Sequence, residues 1–233
     1  MRKKRLVVLS GAGVSAESGL GTFRDSGGLW EKYRIEDVAT PSAWEKDPAL
    51  VTQFYNLRRK QAYEATPNKA HNVLAELEKF FEVLIVTQNI DNLHERAGSS
   101  QVLHLHGEIN KVKSSGPNPE KEYFPQEHWE VKMGDVCPDG YQLRPHVVWF
   151  GEAVPMLYEA EKIVETADFF LVVGTSLNVY PAASLIYSVP KNCESFLIDP
   201  NELEVNYNFT HIKQPASTGM HLFKEILMDK INA

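Results

Sequence analysis

Cysteine, long apolar runs and clustered positive charge are all scarce in this sequence, and each shortage excludes a class of protein. The 233 residues hold two cysteines, Cys137 and Cys193, in different regions. Two are too few for the disulfide framework of a small secreted domain, and they read as free thiols in a reducing compartment. No stretch approaches the ~18 consecutive apolar residues of a membrane span. The N-terminus MRKKRLVVLSGAG begins basic, but its apolar run is short, where a signal peptide needs roughly 7–15 apolar residues. The expectation is a cytoplasmic protein with no membrane partner. A net charge of -7 without a basic stripe offers no footprint for nucleic acid, and residues 2–5 read as a solubilising flank of the first strand. Internal repeats and low-complexity tracts are missing as well.

What is present is ordinary globular composition, 43% hydrophobic and 24% charged. The length suits one large domain, or one domain with a sizeable insertion. Short apolar runs recur as RLVVLS (5–10), EVLIVTQ (82–88), QVLHLHG (101–107), HVVWFG (146–151), FFLVVGT (169–175) and SFLIDP (195–200). Runs of this length and β-branched content read as strands buried on both faces. Helical patterns lie between them. PNKAHNVLAELEKFF places His71, Leu74, Leu77 and Phe81 on one face, and PMLYEAEKIVETA and GMHLFKEILMDKI repeat the theme. This alternation predicts an α/β fold with a Rossmann-like, doubly wound parallel sheet. Residues 31–66 read as helix and loop, and 108–145 as polar with no period. Loops of that length are improbable in a compact domain. Both therefore read as insertions forming a smaller lobe against a large lobe of 1–30, 67–107 and 146–233.

Six glycines crowd residues 11–30, GAGVSAESGLGTFRDSGGLW, directly after LVVL. Glycine in such numbers marks a backbone that must come close to something. Gly11-x-Gly13-x-x-Ala16 after the first strand is the fingerprint for a dinucleotide pyrophosphate at a helix N-terminus, and alone it fits a tight βα turn equally. The ribose-binding acid of a dehydrogenase, expected ~20 residues further on, is not evident. A loop carrying Phe23 and Arg24 follows instead, for which hydride transfer has no use. Other strand ends carry polar groups: Gln88, Asn89 and Asp91 in TQNIDNLHERAG, His106 in HLHGE, and Gly174, Thr175 and Ser176 in GTSLNVYP. Ligands bind off the carboxyl ends of parallel strands, so these groups are candidates for one site. By the period of two, His104 and His106 share a strand face. His106 is the catalytic candidate, because Gly107 ends the strand immediately after it.

The stretches GAGVSAESGLGTFRDSGGLW, TQNIDNLHERAG, LHGE, RPHVVWFGE and GTSLNVYPA match in order and spacing the sirtuin family of NAD-dependent protein-lysine deacylases, over nearly the whole chain. EDVATP and FYNLRR further resemble the bacterial class III members akin to the mitochondrial desuccinylase. The resemblance implies NAD as cofactor, with Gly11, Ala12, Gly13, Ser15 and Ala16 at its pyrophosphate and Gly19, Thr22, Phe23, Arg24 and Trp30 in the loop that follows. It implies Asn89 on the ribose, Gln88 on the cofactor or a water, and Asp91, beside Ile90, on the nicotinamide carboxamide. Thr175 and Ser176 fall to the adenine-side ribose and phosphate, and Gly174, Asp199 and Ala216 also bind the cofactor. His106 becomes the general base for the ribose hydroxyls. The acyl oxygen of the substrate attacks the ribose C1′, and Phe23 shields the site from water. The implied products are free lysine, nicotinamide and 2′-O-acyl-ADP-ribose.

Acylated lysines of other proteins are the implied partners. Each is clamped as an extra strand against Val148, Trp149, Phe150 and Gly151. Tyr55 and Arg58, spaced i, i+3, match residues that bind the carboxylate of succinyl- or malonyl-lysine, and Ala39 leaves room for the longer chain. A monomer is expected. Relatives carry a structural zinc on two C-x-x-C pairs. Here the first pair falls in KVKSSGPNP, without cysteine, and the second offers Cys137 alone, so no zinc is expected. The aromatic residues Tyr123, Phe124, Trp129 and Tyr141 are expected to hold the lobe in its place. Two other readings, a nucleotide-sensing module without turnover and an ADP-ribosyltransferase, are separated by nicotinamide release and by transfer of label from NAD to protein.

Overall fold

The computed structural model describes residues 2–22, 32–117, 123–126, 128–203 and 205–232. The positions expected at Phe23, Arg24 and Trp30 lie outside the described residues. Strand β1 (Arg5–Ser10) is the hub of a parallel sheet. On one side it pairs with β2 (Glu82–Thr87), which pairs with β3 (Val102–His104). On the other it pairs with β7 (Phe169–Val173), followed by β8 (Glu194–Ile198) and β9 (Thr210–Ile212). The order β3-β2-β1-β7-β8-β9 reverses direction at β1, so a crevice opens where the chain leaves β1 and β7.

β1 is apolar from Leu6 to Leu9 because it faces a core on each side. Leu6 and Val8 join Leu74 and Leu77 of α5 (Lys69–Leu77) and Phe223 and Leu227 of α8 (Ala216–Asn232). Val7 and Leu9 meet Ala160 and Val164 of α7 (Leu157–Val164) and the 3₁₀ segment Ala182–Ser188. The predicted face of α5 holds, with His71, Leu74, Leu77 and Phe81 all buried.

The stretch after the glycine loop folds as helices: α2 (Ile35–Val38), α3 (Pro41–Lys46) and α4 (Pro48–Glu64). The starts of α3 and α4 follow from sequence. Thr40 and Asp47 accept backbone N–H bonds from Ala43 and Leu50, with a proline in each first turn. These helices pack on an antiparallel sheet of β4 (Gly107–Ser114), β5 (Tyr123–Pro125) and β6 (Leu143–Val147).

Several expectations need correction. HVVWFG does not join the parallel sheet. Its first two residues finish β6, and the rest is a turn packed on α4, because an apolar run does not say which core receives it. Residues 108–145 are not without period; they carry the small sheet. The sequence QVLHLHG is a strand only to His104. His106 sits in the turn, and Gly107, at φ 80°, opens β4 instead of closing β3. Of the aromatic residues expected to hold the lobe, Trp129 and Tyr141 are 39% and 46% exposed and Phe124 is half-buried, while the Tyr123 side chain lies outside the described residues. Polar contacts add to the apolar packing. From α4, the Asn56 amide bonds Val131 in both directions, and fully buried Arg59 donates to Ile109 O and Trp129 O.

Candidate active site

The glycines at the crevice bring two chain segments together. Gly11 N–H donates to Val173 O and Gly13 N–H to Gly174 O. A Cβ on Gly13 would lie 2.8 Å from Gly174 Cα, and one on Gly174 would lie 2.3 Å from Val14 N. Two amides expected at a pyrophosphate are therefore engaged by β7. The short α1 (Ala12–Ala16), with Ser15 buried, follows at once. Gly19 stands at φ 86° beyond it, and Thr22 is half-buried.

Asn89, just past β2, is held on nearly every polar atom. Its N–H donates to Thr87 Oγ1 (3.1 Å), and its Nδ2 donates to Gly11 O and Ser15 Oγ (3.1 Å each). Its carbonyl receives His104 Nδ1 at 2.8 Å. Thr87 is fixed in turn by the Ser10 hydroxyl, which His94 approaches at 3.0 Å. Among the described residues no donor meets Asn89 Oδ1, which leaves one acceptor to offer a hydroxyl. Ser15 also donates to buried Asp91. Burial pushes the Asp91 carboxyl up, while the Leu93 N–H, Ser15, His104 and Arg58 act against it.

His106 Nδ1 stands 3.0 Å from Gln88 O. A carbonyl only accepts, so Nδ1 carries the proton and Nε2 keeps a lone pair. Burial lowers the His106 pKa, with the Gln88 bond acting against it, so the ring is neutral at pH 7. That is the state a general base requires. Gln88 Nε2 reaches Thr175 Oγ1 at 3.1 Å, so the ends of β2 and β7 are joined directly. Ser176 is half-buried beside it, and Ile90 is tied to β4 through its carbonyl. Asp199, at the end of β8, caps Asn201, and buried Ala216 opens α8.

The turn after β6 carries the substrate candidates and ties together the parts around it. Val148 N–H donates to His106 O (2.9 Å) and Phe150 N–H to Ala39 O (3.0 Å); Gly151 follows at φ 92°. Trp149 is buried under Arg144, whose guanidinium lies 3.3 Å over its ring. Arg144 pairs with Glu152 at 3.0 Å, and Glu152 accepts the Trp149 N–H at 2.7 Å. Neither Arg144 nor Glu152 stood among the expected site residues, although RPHVVWFGE contains both. Their link is an ion pair across a turn, which spacing alone does not reveal. Tyr55 is buried with its phenol toward the Trp149 indole, and burial pushes its pKa up, so it remains a donor. Arg58 interacts with both Tyr55 and Asp91.

Zinc does not fit the described residues. Cys137 Sγ lies 3.4 Å from Ser114 Oγ, and no three His, Cys, Asp or Glu side chains among them gather as a metal site.

The Sir2 family model matches residues 11–181. An NAD-dependent protein deacylase of Bacteroides thetaiotaomicron is 56% identical over 231 residues, 97% of this chain and 98% of the relative. One of Helicobacter pylori is 54% identical over 84% of this chain and 85% of its own length. The crystal structure of a Sir2 homologue in complex with NAD superposes with a TM-score of 0.88 at 40% identity, covering 98% of this chain and 91% of the other. From the glycine loop at the β1 end to the segment beyond β7, the chain belongs to the Sir2 family.

Proposed function

We propose that this Sir2 protein is an NAD-dependent lysine deacylase that removes succinyl and malonyl as well as acetyl groups, leaving 2′-O-acyl-ADP-ribose, free lysine and nicotinamide. NAD supplies the ribose carbon that accepts the acyl oxygen as nicotinamide departs. In this reading Asn89 offers Oδ1 to the ribose, His106 Nε2 takes the hydroxyl proton, and Asp91 receives the carboxamide. Thr175 and Ser176 serve the adenine-side ribose and phosphate, Gly174, Asp199 and Ala216 also bind the cofactor, and Val148–Gly151 receives the peptide of a monomer's protein substrate. One observation carries the acyl preference. Arg58 and Tyr55 lie one turn apart on α4, where Arg58 interacts with Tyr55 and Asp91 and the Tyr55 phenol interacts with Trp149. A guanidinium fork and a protonated phenol are three donors suited to one carboxylate. Arg58→Met is expected to lower kcat/KM on a succinyl-lysine peptide by roughly 2–5 kcal/mol, with far less change on the acetyl peptide. Equal losses on both would make Arg58 structural.

The small lobe is proposed to need no zinc, supported by Cys137 bonding to Ser114 and by Asn56 and Arg59 bonding the 129–131 segment. Metal analysis is expected to find no stoichiometric zinc, and chelation should not shift the unfolding temperature. One zinc per chain would refute this.

A further inference from the structure

Two histidines grip the end of β2, and they differ in what stands behind them. His106 Nδ1 meets Gln88 O, and His104 Nδ1 meets the next carbonyl, Asn89 O. Behind His104 stands Glu95 of α6 (Leu93–Arg96), with Nε2 2.8 Å from its Oε1. The His104 side chain is 6% exposed and that of Glu95 38%. A neutral imidazole has one N–H and cannot donate to a carbonyl and a carboxylate together. His104 is therefore an imidazolium. Burial opposes that charge, but Glu95 and the Asn89 carbonyl outweigh it and hold the pKa above the ordinary value. Burial also opposes the Glu95 charge, and the His104 bond still holds its carboxyl low.

Asn89 lies outside regular structure, so its aim depends on the bonds that pin its backbone. Thr87 fixes the N–H of Asn89, and the charged donor of His104 fixes the carbonyl, hence the peptide plane leading to Ile90 and Asp91. We propose that His104 is a positioning residue, which with Glu95 as counter-ion fixes the Asn89 backbone and so aims Asn89 Oδ1 at the ribose. This rests on the reading of Asn89 as the ribose-holding residue.

Two near-isosteric variants separate the contacts. In His104→Asn the side-chain amide nitrogen replaces Nδ1 and keeps the bond to Asn89 O. In His104→Gln it replaces Nε2 and keeps the bond to Glu95 only. Calorimetric NAD affinity should fall by about tenfold or more in His104→Gln and less than about threefold in His104→Asn, the scale of one charged-donor bond. Both variants lose the same charge, so the difference between them isolates the bond to Asn89 O, with circular dichroism checking that each is folded. Equal NAD affinities in the two variants would overturn the proposal. So would a nitrogen NMR spectrum of the wild-type protein at pH 7 showing His104 with a single ring proton, a measurement that needs no variant to fold. NAD binding is read without turnover. An inactive wild type with divergent affinities would therefore count against the deacylase reading alone, and an active wild type with equal affinities against this one.

Discussion

At His106 the decisive contact is with a backbone carbonyl. Gln88 O claims the Nδ1 proton, which leaves Nε2 as the basic atom. Because burial lowers the pKa, the base form persists through neutral pH and is lost only on acidification below the ordinary imidazole value of 6.5. The acid limb of kcat/KM against pH should accordingly have its midpoint below that value, with no loss from this group at higher pH. His106→Ala should cost about 10²–10⁴ in rate while NAD still binds. A variant within tenfold of wild type would remove His106 from the reaction. The sequence singled out His106 by its neighbour Gly107, although that glycine opens β4 instead of ending a strand. The role of its neighbour was not. His104 points at a carbonyl two residues past β2, and nothing in the spacing of HLHG announces Glu95 behind it.

The turn from Val148 to Gly151 is the element that the sequence misplaced. The run HVVWFG carries the apolar content of a doubly buried strand, and the period of its side chains does not say which sheet will receive it. The pairing with β4 depends on the small sheet, whose Gly107–Val112 register is irregular. What sets the turn is the clamp of Arg144 and Glu152 around Trp149. Glu152→Gln leaves Arg144 without its counter-charge at a site where it is nearly buried. Losing one partner of a buried pair costs on the order of 3 kcal/mol, to be read by chemical unfolding. If the clamp also shapes the peptide site, KM for the acyl peptide should rise while NAD affinity stays put. A fall in NAD affinity of the same size would make the effect global. The helix starts at Pro41 and Pro48, by contrast, were written locally in Thr-Pro and Asp-Pro.

Across the whole molecule, buried histidines contribute to the response to acid between pH 7 and 5. His71 is fully buried, accepts the Asn68 N–H at Nδ1, and has its pKa lowered by burial from 6.5 to about 4. The unfolded chain takes up this proton near 6.5 and the folded chain refuses it until about 4. The His71 contribution is therefore complete above 6.5 and drains away as the pH falls through that window. His94, held well below 6.5 mainly by burial, acts in the same direction. His104 is shifted the other way: its contribution is complete below 6.5 and is lost as the pH rises through its raised pKa, so it opposes their trend above 6.5 and is constant below. From pH 7 to 5, His71 alone should remove about 2 kcal/mol of unfolding free energy. His71→Asn, which keeps an acceptor for Asn68, should make the urea-measured slope shallower by that amount. An unchanged slope would assign the acid sensitivity elsewhere. The order of the parallel sheet was only partly readable. Five of its strands match apolar runs in the sequence, but β9 is three residues long and gives no periodic signal.

The central strand is made well before one of its two neighbours. Leu6 pairs with Phe169, so half of β1's bonding edge waits for residues synthesised 163 positions later. At about 5–20 residues per second, that delay on the ribosome lasts on the order of ten to thirty seconds. During it the chain carries an unpaired Leu-Val-Val-Leu edge, the kind of edge that recruits a foreign strand. β1 can pair early with β2, but only the arrival of β7 closes its other side. A chain truncated before Phe169 is therefore expected to aggregate more readily than the full sequence, to be read by light scattering.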